Sequence, residues 1–260
     1  MAGFIRTEVD GHIGWLVVEQ PERRNAVSLE MWQQIPDAAA RLDAHDEVRV
    51  VVVRGAGEEA FVAGADISQF EARRTGEGAA IYEAATTAGY GALAAITKPT
   101  IAMVHGPCVG GGLAIALTTD LRVSADDGRF AIPAAKLGLG YGIAGIETLE
   151  RLVGPSRTKE IFFTARLFDA TEALAMGLLN AVHPKAELED AVRALATQIA
   201  RNAPLTVRSV KYLTGQVLRP PAERDAAGIR ASVDGCFASE DYREGVRAFL
   251  EKRRPEFRGR

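Results

Sequence analysis

Short apolar runs rich in β-branched residues alternate with helix-like segments through the first half of this 260-residue chain. Ile13–Glu19 and residues 48–54 are two such runs, and the second contains four consecutive valines, which is typical of a strand buried on both faces. Between them, Ser28 can cap a helix that extends to about Ala44. Because that helix returns the chain between two strands, we predict an α/β core with mainly parallel strands.

The same alternation continues downstream. Residues 78–96 have helical spacing, and the Lys98-Pro99 pair ends that helix. The apolar run Thr100–Val104 then indicates another strand. A third round is predicted as a helix at 110–117 followed by extended segments at 121–124 and 129–132.

From Gly142 onward the pattern changes, because helical spacing and capping residues predominate. Residues 178–183 form the one strand expected in this part of the chain. The predicted helices span 142–152, 155–164, 171–176, 187–201, 204–217, 221–237 and 239–252. A helical C-terminal third with apolar faces is typical of a region that packs on a partner subunit.

The composition is that of an ordinary soluble globular protein, with 47% hydrophobic and 25% charged residues. A formal net charge of −3 argues against nucleic acid or an anionic membrane as the main partner. The basic cluster at 252–254 is interpreted as a solvated tail. Cys108 and Cys236 are too few for a disulfide framework, and no apolar run reaches the length of a membrane span, so we expect a cytoplasmic protein.

Two glycine-containing turns stand at predicted helix starts. One is Gly110-Gly111-Gly112, and the other is the Phe-Val-Ala-Gly-Ala-Asp sequence at 61–66. The first N–H groups of a helix have no intrahelical partner, so each turn can hold an anionic oxygen. The two turns together would form an oxyanion hole.

Other functions of glycine turns fit this sequence poorly. The run at 110–112 lacks the Gly-Lys-Ser/Thr ending of a nucleotide-binding P-loop. Residues 140–145 have the spacing of a dinucleotide site, but the preceding segment contains Pro133 and Lys136 where a buried strand is required. Cys108 is interpreted as a small buried residue, not as a nucleophile, and the four histidines are too dispersed for a metal site.

Several short motifs occur in order along nearly the whole chain. They are Pro21-Glu-Arg-Arg-Asn-Ala26, the segment 61–67, Lys98-Pro99-Thr-Ile-Ala, His105-Gly106, the glycines at 110–112, and the segments 170–180, 239–242 and 249–253. In order and spacing these motifs resemble the enoyl-CoA hydratase/isomerase (crotonase) superfamily. The resemblance implies an α/β crotonase (ClpP-like) fold of repeated strand-strand-helix units, with a core at 1–200 and a helical oligomerisation region at 201–260 that assembles homotrimers or dimers of trimers.

The resemblance also implies an acyl-CoA substrate, with no cofactor beyond the coenzyme A that the substrate carries. The oxyanion-hole amides of the family correspond to Ala65 and Gly111, which would hold the thioester oxygen while an enolate forms at the α-carbon. Five residues would lie near the coenzyme A, namely Arg23, Arg24, Ala63, Phe249 and Lys252. For the two arginines the alternative interpretation is a solvated turn before Asn25.

The chain departs from the family where hydratases carry two glutamates. The corresponding positions are Ala114, in the turn after the glycines, and Ala134, after Pro133. A methyl group cannot transfer a proton, and each such acid or base is typically worth ~10²–10⁴-fold in rate. Three functions stay open: a reaction that needs only enolate stabilisation, a hydratase or isomerase that uses other residues, and a non-catalytic acyl-CoA or RNA binder.

Decarboxylation fits the first of these functions, because a malonyl-type thioester that loses carbon dioxide becomes a thioester enolate without any base. Ala114 and Ala134 would line an apolar pocket around the substrate carboxylate. Motifs at 137–146, 159–165, 203–205 and 239–245 resemble the methylmalonyl-CoA decarboxylase branch. In that branch a tyrosine corresponding to Tyr141 faces the reacting carboxyl group; the alternative interpretation of Tyr141 is a packed loop aromatic. The chain departs from the branch at two positions, where Ala65 and Ala114 replace a histidine and a glutamate.

Three carboxylates are further candidates for proton transfer. Asp66 is interpreted as a helix cap, Asp120 as a turn residue and Glu147 as a solvent-facing side chain. If the chain is a hydratase, Glu147 or Tyr141 is the expected acid or base. An RNA-binding function would need a basic face, which this composition does not indicate.

Overall fold

The computed structural model describes residues 2–65 and 77–260. Within these residues, nine strands form two sheets. The strands are β1 Phe4–Asp10, β2 Ile13–Glu19, β3 Val50–Gly55, β4 Thr100–Val104, β5 Pro107–Val109, β6 Leu121–Ala125, β7 Arg129–Ala131, β8 Phe168–Asp169 and β9 Ala181–His183. The α-helices are α1 Leu29–Ala44, α2 Glu77–Ala94, α3 Gly111–Leu117, α4 Ala134–Leu137, α5 Ile143–Thr164, α6 Ala170–Ala175, α7 Leu188–Ala200, α8 Pro204–Val217, α9 Ala226–Ala238 and α10 Glu240–Leu250.

The main sheet has the strand order β1-β2-β3-β4-β6-β9. Only the β1–β2 pair among these neighbours is antiparallel, and every other pair is parallel, so the predicted mainly parallel core is confirmed. The smaller sheet has the order β5-β7-β8, in which β5 pairs with β7 in parallel and β7 with β8 in antiparallel fashion. Strands β1, β5 and β8 were not predicted. β5 and β8 have three and two residues and therefore no readable periodicity, and β1 is not a continuous apolar run because Arg6, Glu8 and Asp10 interrupt it.

Strand β3 is buried on both faces, as its valines predict. Val51 and Val53 belong to the larger apolar cluster, which also contains side chains of α1 and α2. Val50 and Val52 face the opposite way, into a second cluster that contains α7 side chains. The alternation of a strand sends successive side chains to opposite faces. The main sheet is therefore a middle layer with helices on both sides.

The predicted helix at 221–237 is wrong at its start. Pro221–Glu223 forms a short 3-10 turn, and α9 begins only at Ala226. The reason is the N-cap at Asp225, whose carboxylate accepts a hydrogen bond from the N–H of Gly228 at 2.9 Å. The predicted N-cap of α1 is confirmed, because the Ser28 hydroxyl accepts a hydrogen bond from the third helical N–H at 3.3 Å.

One further prediction is confirmed and one needs adjustment. The two helices expected at 142–152 and 155–164 are the two halves of α5, which Gly154 separates with a non-helical φ of +76° and ψ of +166°. The strand expected at 178–183 is shorter, because the N–H groups of Leu178 and Leu179 both donate to the carbonyl of Ala173 in the turn after α6. Strand β9 therefore contains only the last three residues of the predicted segment.

Helices α8, α9 and α10 follow the last strand, and α9 packs against both of its neighbours. These helices leave large apolar side chains exposed: Val210, Val217, Leu218, Phe237, Val246, Phe249 and Leu250. Exposed apolar side chains in such number are typical of a surface that another chain covers. Among the described residues, no helix combines the length and the apolar character needed to cross a bilayer.

Candidate functional site

The glycine turn at 110–112 sets the start of α3. Gly110 has φ +54°, in the left-handed region that favours glycine, and its N–H donates to the carbonyl of Ala131 at 2.8 Å. The carbonyl of Gly110 accepts the first intrahelical bond, from Ala114 at 3.0 Å. Gly111 is the first helical residue, so its N–H has no partner within the helix.

Backbone pairing brings the second turn alongside the first. The N–H of Val109 donates to the carbonyl of Val62 at 3.1 Å, and that of Val62 donates to Pro107 at 3.2 Å. On the other side, Val27 N–H donates to the carbonyl of Gly64 at 2.9 Å. These bonds hold the segment that ends at Ala65 between β5 and the start of α1.

The backbone nitrogens of Ala65 and Gly111 lie near each other. A Cβ atom built on Gly111 would lie 3.8 Å from the nitrogen of Ala65. Since such a Cβ is about 2.5 Å from its own nitrogen, the two amide nitrogens are at most about 6.3 Å apart. Neither N–H donates to any residue that the structure describes. The predicted pair of oxyanion-hole donors is thus brought together.

Gly112 explains how the two turns come so close. A Cβ atom on Gly112 would lie 2.0 Å from the carbonyl oxygen of Val62 and 2.8 Å from its Cβ. No side chain fits between α3 and the segment before Ala65, so only glycine permits this approach. The three glycines therefore have different roles: Gly110 makes the turn, Gly111 offers its amide, and Gly112 lets the backbones touch.

Ala114 and Ala134 are the two alanines that were expected to lie near the two amides. Ala114 is half-buried on α3, one turn after Gly111, and Ala134 is buried at the first position of α4. Pro133, directly before Ala134, has its Cδ 3.8 Å from the position of a Cβ on Gly110. Ala134 belongs to the larger apolar cluster. Both side chains are methyl groups, and neither can move a proton.

Tyr141 lies in the loop before α5. Its ring meets that of Phe162 edge to face, with centroids 4.9 Å apart, and it packs over Gly145. Burial raises the pKa of the Tyr141 hydroxyl, so the group keeps its proton at neutral pH. Tyr141 is half-buried against the same apolar cluster as Ala65. The contacts with Phe162 and Gly145 fit the interpretation of Tyr141 as a packed loop aromatic. Its neutral hydroxyl fits the interpretation in which Tyr141 faces the reacting carboxyl group.

The turn at 21–25 is tied to the segment that carries Ala63. Asn25 is buried, and its amide donates to the carbonyls of Ala56 and Ala60 at 3.0 and 2.9 Å while its oxygen accepts from Gln20 at 3.0 Å. The N–H of Ala63 donates to the carbonyl of Arg24 at 3.0 Å. Of the residues expected near coenzyme A, the structure brings together Arg24 and Ala63, with the exposed Arg23 adjacent.

Phe249 and Lys252 lie at the far end of the chain, in the last turn of α10 and just after it. The Phe249 side chain is 82% exposed. Lys252 has φ +56°, and its N–H donates to the carbonyl of Phe249 at 3.2 Å, which closes the helix. Both side chains are accessible to a ligand or to another subunit, and the structure of the single chain does not place them at the hole.

The other candidate groups have structural partners. Glu147 is exposed and forms an ion pair with Arg151, as expected of a solvent-facing side chain. Asp120 accepts from the N–H and the hydroxyl of Thr100 and from Lys211, all within 3.0 Å. Asp66 lies outside the described residues.

Cys108 is fully buried, and burial raises the pKa of its thiol. It is therefore inert as a nucleophile at neutral pH, in agreement with its interpretation as a packed residue. His105, three residues earlier, is also buried, and burial lowers the pKa of its ring. Neither of its ring nitrogens has a hydrogen-bond partner among the described residues, so a Cys108–His105 pair is excluded.

Sequence reasoning missed the aromatic side chains beside the hole. The Tyr90 hydroxyl lies 3.5 Å from the carbonyl oxygen of Gly111, and the Tyr90 ring meets that of Trp32 edge to face at 4.7 Å. The Trp32 indole N–H donates to the hydroxyl of Tyr82 at 3.2 Å. A signal was present, since two tyrosines eight residues apart lie near one face of a helix. The contact between Tyr90 and Gly111, which is 21 residues further along the chain, could not be predicted from that spacing.

Comparisons with known proteins agree with this geometry. A profile of the family "Enoyl-CoA hydratase/isomerase" matches residues 8–260. A short-chain-enoyl-CoA hydratase of Clostridium acetobutylicum is 33% identical over 249 residues, covering 96% of this chain and 95% of that protein. A crotonyl-CoA hydratase of Syntrophomonas wolfei is 34% identical over 258 residues, covering 96% of each.

A solved structure confirms the predicted crotonase fold. It is an enoyl-CoA hydratase/carnithine racemase from Magnetospirillum magneticum, which superimposes with a TM-score of 0.93 at 33% identity and covers 100% of this chain and 97% of that one. The match extends over the whole of this chain. The chain therefore belongs to the enoyl-CoA hydratase/isomerase (crotonase) superfamily.

Proposed function

We propose that this chain is an enzyme that holds the thioester oxygen of an acyl-CoA between the amides of Ala65 and Gly111, and that it decarboxylates a malonyl-type thioester. One observation supports the proposal: alanine stands at 114, one turn after Gly111, and at 134, directly after Pro133, where the resemblance implies the two glutamates of a hydratase. Two amides of this kind can stabilise an enolate. At positions 114 and 134, where the usual acids would stand, the methyl groups of alanine cannot transfer protons.

Decarboxylation suits such a site because the substrate generates its own enolate. When the bond between the α-carbon and the carboxylate breaks, the electron pair stays on the thioester and carbon dioxide leaves. No base removes a proton, and the two amides would stabilise the charge that develops on the oxygen. The α-carbon of the enolate then takes one proton from solvent water, which gives the shortened acyl-CoA and hydroxide, and the hydroxide combines with the released carbon dioxide as bicarbonate. Apolar walls from Ala114 and Ala134 would favour loss of the carboxylate by excluding water from it.

The other residues of the site receive supporting roles in this proposal. The hydroxyl of Tyr141, whose pKa burial raises further above neutrality, would orient the carboxyl group out of the plane of the thioester. Coenzyme A would run from the hole past the turn at 21–25. The groups proposed to contact it are Arg23, Arg24, Ala63, Phe249 and Lys252.

We further propose that the chain assembles as a homotrimer or a dimer of trimers. The exposed apolar side chains of α8, α9 and α10 support this assembly, because a single chain would leave them in water. The exposed position of Phe249 on α10 suits a residue that reaches its ligand at a subunit boundary. Light scattering after gel filtration measures the number of chains directly.

Hydration of an enoyl-CoA is the second candidate, and the names of the relatives favour it. In this case the proton-transferring groups must come from positions other than 114 and 134. Glu147 is exposed and paired with Arg151, which makes Tyr141 the stronger of the two side chains suggested for the task.

One assay panel separates the two candidates. The purified protein is incubated with methylmalonyl-CoA, ethylmalonyl-CoA, malonyl-CoA and crotonyl-CoA while thioester loss, carbon dioxide release and product mass are followed together. Carbon dioxide and a shortened acyl-CoA from a malonyl thioester are the expected result. Rapid hydration of crotonyl-CoA, with no carbon dioxide from any malonyl thioester, would refute decarboxylation and leave hydration as the function.

A further inference from the structure

The side chain of Trp32 borders the space between the two glycine turns. Its Cζ2 atom is 3.7 Å from the position of a Cβ atom on Gly111, and that same position is 3.8 Å from the nitrogen of Ala65. The benzene edge of the indole therefore stands at van der Waals distance from a point that the two backbone segments flank. An acyl group whose thioester oxygen bound between the two amides would lie near this ring.

The position of Trp32 is set by the same backbone junction that positions Ala65. The N–H of Val27 donates to the carbonyl of Gly64 at 2.9 Å, and Ser28 caps α1 directly afterwards. The N–H of Trp32 donates to the carbonyl of Ser28 at 3.0 Å, so this residue lies one turn into the helix. The indole ring and the Ala65 amide are therefore held in one local arrangement.

Packing keeps the indole ring in place. Trp32 is 1% exposed, its ring meets that of Tyr90 edge to face with centroids 4.7 Å apart, and its N–H donates to the Tyr82 hydroxyl at 3.2 Å. A Cβ atom on Gly89 of α2 would lie 2.8 Å from Cε3 of the ring. The two helices therefore leave the ring little room to turn, so an acyl chain directed at the ring must stop there or bend away.

The distances limit the length of a chain directed at the ring. Cζ2 is at most about 6.2 Å from the nitrogen of Gly111, because the Cβ position lies about 2.5 Å from that nitrogen. With an oxygen hydrogen-bonded to this nitrogen at about 2.9 Å, the carbonyl carbon is at most about 10.3 Å from Cζ2. Contact between carbon atoms takes about 3.7 Å of this distance and a chain advances about 1.3 Å per carbon, so about five carbons fit beyond the carbonyl.

We propose that Trp32 is a specificity-determining residue that restricts the acyl group to a short chain, with no more than about five carbons beyond the thioester carbonyl. The inference rests on the proposed function only in that an acyl-CoA binds with its thioester oxygen between the amides of Ala65 and Gly111. It holds for decarboxylation and for hydration, because in both reactions the acyl group extends from the same carbonyl. The indole acts through its volume and takes no part in the chemical step.

The test measures the binding of saturated acyl-CoAs, which neither candidate reaction converts. Acetyl-, butyryl-, hexanoyl-, octanoyl- and decanoyl-CoA are titrated by calorimetry into wild type, Trp32→Leu and Trp15→Leu. Trp15→Leu is the matched control, because Trp15 is the other tryptophan of the chain and lies in the second apolar cluster, on the opposite face of the main sheet.

The expected result is a change in chain-length preference. Butyryl-CoA has three carbons beyond the carbonyl and octanoyl-CoA has seven, so the two ligands lie on either side of the limit. We expect wild type and Trp15→Leu to bind octanoyl-CoA about tenfold more weakly than butyryl-CoA. Trp32→Leu should bind octanoyl-CoA at least as tightly as butyryl-CoA, because each methylene that becomes buried raises affinity about fourfold.

A second measurement leaves Trp32 intact, so it does not depend on the stability of a Trp32 variant. In Trp15→Leu the indole of Trp32 is the only tryptophan, and its fluorescence reports on its surroundings. Butyryl-CoA should change this emission, whereas free CoA, which has no acyl group to place beside the ring, should leave it unchanged.

Two results would overturn the role of Trp32 while an acyl-CoA site remained. One is the same preference between butyryl-CoA and octanoyl-CoA in wild type and Trp32→Leu, and the other is a Trp32 emission that bound butyryl-CoA does not change. If none of the acyl-CoAs bound to the wild type, the proposed function would be overturned as well.

Discussion

Replacing each of two adjacent glycines by alanine should separate catalysis from folding. At Gly111 a Cβ atom meets the Tyr90 hydroxyl at 3.3 Å and looser neighbours, so a shift of a few tenths of an ångström by that hydroxyl accommodates it. At Gly112 the same atom would lie 2.0 Å from the carbonyl oxygen of Val62, which is fixed by a backbone hydrogen bond. Gly111→Ala should therefore fold normally, whereas Gly112→Ala should be destabilised.

The sizes of the two effects follow from these contacts. Gly111→Ala changes stability by less than about 1 kcal/mol, since alanine is also the better helix former. Its methyl group enters the space between the amide of Ala65 and the Tyr90 hydroxyl, so we expect kcat/KM to fall by ~10²–10³. The methyl group of Gly112→Ala overpacks this contact and forces the backbone to shift. We expect the free energy of unfolding to fall by about 3 kcal/mol and Tm by roughly 6–12 °C.

The assay combines thermal denaturation with steady-state kinetics on the thioester that the wild type converts. Gly91→Ala is the control, because a methyl group there has nothing within 4 Å. Gly111→Pro, which removes the N–H at a helix position where proline is tolerated, should abolish activity. The reasoning is refuted if Gly111→Ala melts normally and retains kcat/KM within about threefold of wild type.

Three more predictions follow from single side chains. Tyr141→Phe should lower kcat about tenfold with thioester binding retained, and an unchanged kcat would assign Tyr141 to packing. Asn25→Ala leaves three buried backbone groups without their partner, so Tm should fall by roughly 6–12 °C in a thermal melt; an unaltered Tm would contradict this role. Burial lowers the pKa of His105, so its stabilising effect is present above its unfolded pKa and is lost as pH falls. Below about pH 6.5, Tm should therefore drop more steeply for wild type than for His105→Gln.

Much of the architecture could be predicted because its signals are local. The four valines of β3, the cap at Ser28 and the glycine run at 110–112 each depend on neighbours in sequence. The absence of acidic residues at 114 and 134 is likewise evident from the identities of those two residues alone. Where the signal spans only two or three residues, as in β5 and β8, no periodicity exists to be read.

The part of the site that escaped prediction depends on tertiary packing. Tyr90 reaches Gly111 only because Gly89 lets α2 lie against Trp32 of α1, and none of these contacts has a sequence spacing that recurs. The exposed side chain of Phe249 is a similar case, since its environment depends on what surrounds the single chain. The start of α9 differs from the prediction for a local reason, because the N-cap at Asp225 sets the first helical residue although the helical spacing of the sequence begins further upstream.

The main-chain origin of the hole has an evolutionary consequence. The two donors that we propose for charge stabilisation are main-chain amides, which almost any substitution leaves in place, and the close contact between Gly112 and Val62 brings their two segments together. Proton transfer, by contrast, resides in side chains that a single codon change can add or remove. A lineage can therefore exchange one reaction for another at 114 and 134 while the enolate-forming step is inherited unchanged, so new activities need not begin from an unformed site.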